Sequence, residues 1–390
     1  MKAFENRIRI GMVGGGPGAN IATAHRMGLR MDGRYALIAG AFSRDAEKNK
    51  AMGAELGLDE GRVYTSYERM ARDEAVRADG IEAVAIVTPN DSHYPAAKAF
   101  LEQGVHVICD KPLTDDFEHG LELHRLAVSK GLVFALTHNY ASHSMIRQAA
   151  TMVADGKLGT IRSVQGEFAA NWGAQDPAQD ADNKQLAWRT DPAQVGRASV
   201  LYDLGTHIHH LARFVTGLEI EALSADLATV VPGRQVYDHA QMSLRFTGGA
   251  RGGFWVTMVA TGAEHGLRIR VVGSKASLEW FHEDPHHLRV SYPDGRHEVL
   301  AQAGSAMDDE SNRLTRVGIG HPEAFPESFA NLYSETAEAI AAARNDEAVP
   351  ERRFSFPTTR DGVLGLQFVD CVCASADDDG RWVEIAPLDI

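Results

Sequence analysis

The first third of the chain alternates between short, almost wholly apolar runs and longer segments whose apolar positions recur at helical spacing. "RIRIGMV", "YALIAGAF", "IEAVAIVTP", "VHVICDKP" and "LVFALTH" read as strands buried on both faces, since a strand with one wet face would alternate apolar and polar positions. A helix leaves the glycine-rich corner after the first strand and runs through Arg26. "AEKNKAMGAELGL", "PAAKAFLEQG" and "DDFEHGLELHRLAVSKG" read as further helices. This alternation predicts an α/β N-terminal Rossmann domain with a doubly wound parallel sheet, spanning residues 1–138.

After His138 the rhythm changes. A helix runs to Val153 and closes at "DGKLG". "IRSVQGEFAA", "IEALSADLATVV", "AQMSLRFTGG", "RGGFWVTMVA", "LRIRVVG" and "ASLEWFH" then follow as strands joined by short Gly-rich turns. The helical segments "LYDLGTHIHHLARFVTG" and "SFANLYSETAEAIAAARN" are expected on one face only. Residues 139–390 therefore predict an α+β C-terminal domain with a large, open, mostly antiparallel sheet.

Charge and cysteine content narrow the class. Lys and Arg number 39 against 53 Asp and Glu in 390 residues, a formal charge of −14. A field of that sign repels nucleic acid and anionic lipid, so neither is an expected partner. Three scattered cysteines make no disulfide framework and point to a reducing, cytoplasmic setting. The N-terminus enters a strand directly, with no segment that reads as a signal peptide or a membrane span.

The chemistry begins at "GMVGGGPGANIATAHR", residues 11–26. Gly14, Gly16 and Ala19 fit G-x-G-x-x-G/A between a strand and a helix. The first glycine allows the tight turn, the second admits a pyrophosphate to the backbone, and the small third residue lets helix and sheet close up. The helix start offers N–H groups and partial positive charge to phosphates, and Pro17 is tolerated there. The second strand ends in "AFSRD": Ser43 and Arg44 stand where an acidic ribose clamp is common, and Asp45 follows. Arg44 can pair with a 2′-phosphate, so the choice between NAD and NADP stays open.

Ligands of parallel sheets bind beyond the carboxyl ends of the strands. "TPNDSH" (88–93), "CDKP" (109–112) and "THNY" (137–140, ending in Tyr140) lie at such ends. Lys111, just before a proline at a buried strand end, is a candidate proton carrier or hydrogen-bond donor. In "YDLGTHIHHL", helical spacing puts Asp203 and His207 on one face, where a carboxylate can orient an imidazole as a base. His207 and His209 diverge on the helical wheel, so no metal centre is expected. Trp172, Trp188, Arg189, Tyr237 and His321 are candidate linings of a sugar-sized pocket.

Taken together, "GMVGGGPGA", "AVAIVTPNDSHYPAAKAFLEQGVHVICDKPL" and "AWRTDP…YDLGTHIHHLARFVTG" resemble the glucose-fructose oxidoreductase, inositol dehydrogenase and rhizopine-catabolism family (Gfo/Idh/MocA). The resemblance covers the first domain nearly end to end and much of the second. It implies NAD(P)-dependent hydride transfer at a ring hydroxyl carbon of a sugar, sugar derivative or cyclitol. Lys111, Asp203 and His207 then match the catalytic group, with Thr88, Pro89, Asn90 and His93 near the nicotinamide and Trp188–Arg189 at the pocket. Asp110 stands where the family usually has Glu beside the ribose, and "VGRAS" replaces a Gly-rich stretch. The family also implies a second domain that binds substrate and pairs by its sheet into a homodimer or homotetramer. A redox-neutral NAD-dependent glycosidase is the rival reading, and a non-catalytic dinucleotide sensor a third.

Overall fold

The computed structural model describes residues 7–175, 190–348, 352 and 355–390. The chain forms two compact units, Met1–Ser142 with Phe325–Val363, and His143–Ala324 with Leu364–Ile390.

In the first unit, β1 (Ile8–Gly14), β2 (Tyr35–Ala41), β3 (Ala83–Val87), β4 (His106–Cys109) and β5 (Phe134–Leu136) alternate with α1 (Asn20–Met31), α2 (Ala46–Glu55), α3 (Tyr67–Ala75), α4 (His93–Glu102) and α5 (Phe117–Ser129). The strands pair in parallel in the order β2-β1-β3-β4-β5. Every residue of β3 is buried, as its unbroken apolar run requires. The strand order reverses between β1 and β3, so the crevice at their carboxyl ends is the ligand position of such sheets. Helix α3 stands where the apolar pattern marked no element. It is mostly charged and buries only Met70, Ala71 and Glu74. Glu74 is tolerated inside because Arg62 and the Tyr64 hydroxyl donate to its carboxylate.

The second unit holds α6 (Ser144–Ala154), α7 (Thr206–Thr216) and the strands β6 (Ile161–Ala170), β7 (Ile220–Ala228), β8 (His239–Phe246), β9 (Arg251–Thr257), β10 (His265–Gly273), β11 (Ser277–Phe281), β12 (His287–Ser291), β13 (His297–Ala301) and β14 (Val383–Glu384). Nine strands form one sheet, ordered β13-β12-β11-β10-β6-β9-β8-β7-β14. It is antiparallel except where β6 meets β9. Strict alternation gives it a dry face and a wet one: along β10, Leu267, Ile269 and Val271 are buried while Arg268 and Arg270 point away. Helices α6 and α7 cover the dry face. Ile208 of α7 sits so close to Gly166 of β6 that a Cβ there would lie 2.4 Å from it. Strands β12, β13 and β14 extend the sheet beyond the predicted ones. The β12–β13 hairpin turns at Asp294-Gly295, where Gly295 has φ +87°.

Two long helices follow, α8 (Phe325–Arg344) and α9 (Thr359–Ala376). A single cut near His138 does not describe the division, because α8 returns to the first unit and packs on α1. No local pattern announces that return. It is made by surface shape: a Cβ on Gly28 of α1 would lie 2.9 Å from the Phe329 Cβ and 3.1 Å from its carbonyl carbon. Among the described residues no helix is long and apolar enough to cross a membrane.

The Gly28 contact is with backbone, so no rotamer change relieves it. Gly28→Val is expected to cost at least about 1–3 kcal/mol, read as a lowered urea midpoint with unchanged m-value. A midpoint equal to wild type would show that α1 and α8 do not depend on this approach.

Candidate active site

Gly14 closes β1 with φ +82°, and a Cβ there would lie 2.8 Å from the Val87 carbonyl oxygen. A Cβ on Gly16 would lie 3.0 Å from the Phe42 carbonyl oxygen, and Gly18 has φ +84°. The corner is therefore bare backbone, braced where the Arg26 guanidinium donates to the Gly15 carbonyl at 3.0 Å. Helix α1 begins at Asn20 with Ala19 as its N-cap, which supplies no side-chain acceptor to the first turn. With glycine at 14, 15, 16 and 18 and no capping carboxylate, this corner fits a pyrophosphate. Pro17 lies in the turn ahead of the helix, exposed, rather than at its first position. At the end of β2 the Asp45 carboxylate caps α2, accepting from Glu47 N and Lys48 N, while Ser43 Oγ accepts from Asp45 N. Arg44 is exposed.

The ends of β3 and β4 are tied together by His93. Its ring is fully buried, with Nδ1 2.7 Å from the Pro112 carbonyl oxygen and Nε2 3.0 Å from that of Thr88. His93 thus serves as a brace between Thr88-Pro89 and Lys111-Pro112. The Lys111–Pro112 peptide is cis, and Lys111 is half-buried. Asp110 turns inward at 8% exposure, its Oδ1 accepting from the Thr137 hydroxyl at 2.7 Å. Asn90 and Tyr140 are buried near these strand ends, Asn90 in a single 3₁₀ turn and Tyr140 beside Phe325.

In the second unit, α7 is entered through a π-helical turn, Leu201–Gly205, whose extra residue is marked by the Thr206 N–H reaching back to the Leu201 carbonyl. Asp203 sits inside this turn, so the α-helical wheel applies only from Thr206 onward. Such bulges re-aim side chains and recur at functional sites. His207 is buried, its ring 6.0 Å from that of Phe168. His209 stacks on Phe368 at 4.6 Å, and His210 lies 6.0 Å from Phe214. The three imidazoles thus face three different aromatic neighbours. Elsewhere among the described residues, Asp284, His286 and His287 bring ligand-type atoms within 4.8 Å of one another in the β11–β12 turn. There Asp284 Oδ1 lies 2.8 Å from His287 Nδ1, a hydrogen bond.

Trp172 is half-buried in the loop after β6. That loop is held by the wholly buried Arg234, which donates to the Gly173 carbonyl at 2.6 Å and pairs with Asp238 at 3.0 Å. Tyr237 lies beside Arg197, and His321 is exposed. Trp188 and Arg189 lie outside the described residues. The sequence reading missed a histidine trio from α6, β10 and the β11 end. The His143 and His282 rings are 5.4 Å apart, and His282 and His265 4.7 Å. Phe168 touches both His207 and His265. The three come from unrelated segments, so no spacing in the sequence signals them.

Burial, then His265, pushes His143 down to about 3; burial, then His143 and His265, pushes His282 down to about 2. In the folded state both are neutral near pH 5, whereas an unfolded histidine takes a proton below about 6.5. The unfolded chain then binds more protons, so this contribution to stability is full above about pH 6.5 and is lost as pH falls toward 3. His143→Phe should flatten unfolding free energy against pH in that window by about one proton, or about 1.4 kcal/mol per pH unit. An unchanged slope would contradict the neutral, buried assignment.

Segments of both units match models of known protein families. Residues 8–138 match the family model described as "Oxidoreductase family, NAD-binding Rossmann fold", and residues 146–279 match "GFO/IDH/MocA C-terminal domain". Uncharacterized oxidoreductase YfiI of Bacillus subtilis (strain 168) is 36% identical over 386 residues, 98% of each chain. The crystal structure of an inositol dehydrogenase homologue from Azotobacter vinelandii, complexed with NAD+, superposes with TM-score 0.94 at 36% identity, covering 98% of both chains. The same homologue complexed with NADH and myo-inositol gives TM-score 0.91 at 35% identity, again over 98% of both chains. Levoglucosan dehydrogenase of Pseudarthrobacter phenanthrenivorans is 26% identical over 79% of this chain and 81% of its own. The chain belongs to the Gfo/Idh/MocA oxidoreductase family, with an NAD-binding Rossmann domain as its first element.

Proposed function

We propose that the protein is an NAD-dependent dehydrogenase of a cyclitol or cyclic sugar, acting on a ring carbon that carries a hydroxyl. The observation that carries this reading is Lys111 at the mouth of the bare glycine-cornered sheet, in a chain 35% identical to a homologue solved with NADH and myo-inositol. Gly14, Gly16 and the uncapped start of α1 would hold the pyrophosphate, and Thr88 and Pro89 border the same strand ends. NAD, when bound, supplies the hydride acceptor.

The chain's own groups handle the proton and the developing charge. His207, aided by Asp203 in the π-helical turn, takes the hydroxyl proton. Lys111 donates a hydrogen bond to the same oxygen and stabilises its charge as the alkoxide becomes a carbonyl. Trp172 and Tyr140 are proposed as substrate contacts. Cofactor binding, by contrast, rests on backbone that neither Lys111 nor His207 supplies.

Lys111→Met is therefore expected to lower turnover by about 10²–10⁴-fold while nucleotide affinity stays near wild type. The assay is reduced-nicotinamide absorbance on a panel of inositols, sugars and glycosides, with released aglycone followed in parallel. Aglycone release without accumulating NADH, or Lys111→Met turning over at the wild-type rate, would overturn the reading.

A further inference from the structure

The turn between β11 and β12, within "FHEDPHHL" (281–288), brings a carboxylate and two imidazoles together. Asp284 Oδ1 lies 2.8 Å from His287 Nδ1 and 3.3 Å from His286 Nε2. The rings of His286 and His287 stand side by side, with centroids 4.3 Å apart. Zinc sits about 2.0–2.2 Å from nitrogen and carboxylate ligands in a tetrahedron, which sets those ligand atoms about 3.3–3.5 Å apart. The Asp284–His286 separation already has that length. The Asp284–His287 separation needs to open by only about 0.5 Å to reach it.

The backbone beneath the three side chains is fixed. The Asp284 N–H donates to the Phe281 carbonyl at 3.0 Å, and the Gln302 N–H to the His286 carbonyl at 2.9 Å. The indole N–H of the buried Trp280 donates to the Pro285 carbonyl at 3.0 Å. Pro285, between the first two ligands, also has its own φ locked by its ring. Backbone held at three successive residues leaves little ordering to be lost when an ion arrives. His286 Nδ1 is enclosed and has no hydrogen-bond partner, so coordination falls to Nε2, the nitrogen on the Asp284 side. The Asp284 side chain is 55% exposed and that of His287 38%, so an ion reaches them from solvent.

We propose that Asp284, His286 and His287 form a binding site for a borderline divalent cation, for which zinc is the probe. Two imidazole nitrogens and one carboxylate oxygen suit zinc-like ions, whereas magnesium and calcium favour sites built of oxygen. On binding, His287 gives up its hydrogen bond to Asp284 and carries its proton on Nε2, which turns the Nδ1 lone pair to the ion. His286 keeps its proton on Nδ1 and coordinates through Nε2. Water completes the coordination shell. The ion offsets the Asp284 charge and clips the end of β11 to the start of β12, and it uses none of the residues assigned to hydride transfer.

The test is equilibrium dialysis of the full-length protein, stripped by chelator and free of nucleotide, against zinc chloride. Wild type is expected to hold a zinc ion at micromolar free metal. Asp284→Asn, His286→Gln and His287→Gln should each weaken that binding by about 10-fold or more, the scale on which even outer-shell partners act. His119→Gln removes an exposed histidine beside Asp116 in the first unit and should leave the binding unchanged. Magnesium in large excess should not displace the zinc. Circular dichroism establishes that each variant is folded. Failure of wild type to hold zinc at micromolar free metal would overturn the proposal, as would wild-type binding in all three turn variants or displacement by magnesium. Dialysis involves neither nucleotide nor turnover, so this result stands apart from that of Lys111→Met.

Discussion

A negative charge kept in the interior at the carboxyl end of β4 is the constraint on which the first unit's working edge depends. Ionised carboxylates are costly to bury unless donors and an opposite charge surround them. Asp110 is buried, and the structure answers with the Thr137 hydroxyl, the His25 ring and the neighbouring lysine. Meeting that demand ties together β2, β4, the β5 end, α1 and α8, through Tyr35, Asp110, Thr137, His25 and Tyr333. The helix that leaves the glycine corner is thus tied to the strand end that carries Lys111.

The second unit places its candidate base by a different device. A broad sheet with one dry face seats α7 closely because Gly166 offers no side chain. The π-helical turn before it then re-aims Asp203 at the point where the helix begins. Next to His207, Phe168 leads through His265 to His282 and His143, two histidines that burial keeps neutral.

How much of this was legible in the sequence follows from which forces act locally. Unbroken apolar strands and the Gly14–Gly16 corner announce themselves, because burial on both faces and a turn without Cβ atoms each restrict residue type over a few positions. The nine-stranded sheet was readable for its central strands. β12 and β13 are less apolar, and only the Asp294-Gly295 turn between them offered a signal. Lys111, Asp203 and His207 stood out by order and spacing. The π-helical turn did not, since a bulge leaves no composition mark. The return of α8 and the His25–Asp110–Tyr333 chain join residues more than eighty and three hundred positions apart, as do the trio His143, His265 and His282 over shorter distances. Such contacts depend on the assembled fold, and no window along one sequence contains them.

In the proposed reaction the His207 imidazole accepts the proton of a ring hydroxyl as the carbon beneath it is oxidised. The most direct test is single-turnover reduction of protein-bound NAD by the proposed cyclitol, followed by stopped flow in wild type and in His207→Asn. The rate in the variant should be lower by about 10²-fold or more, with the nucleotide still bound. Reduction at the wild-type rate in His207→Asn would contradict it.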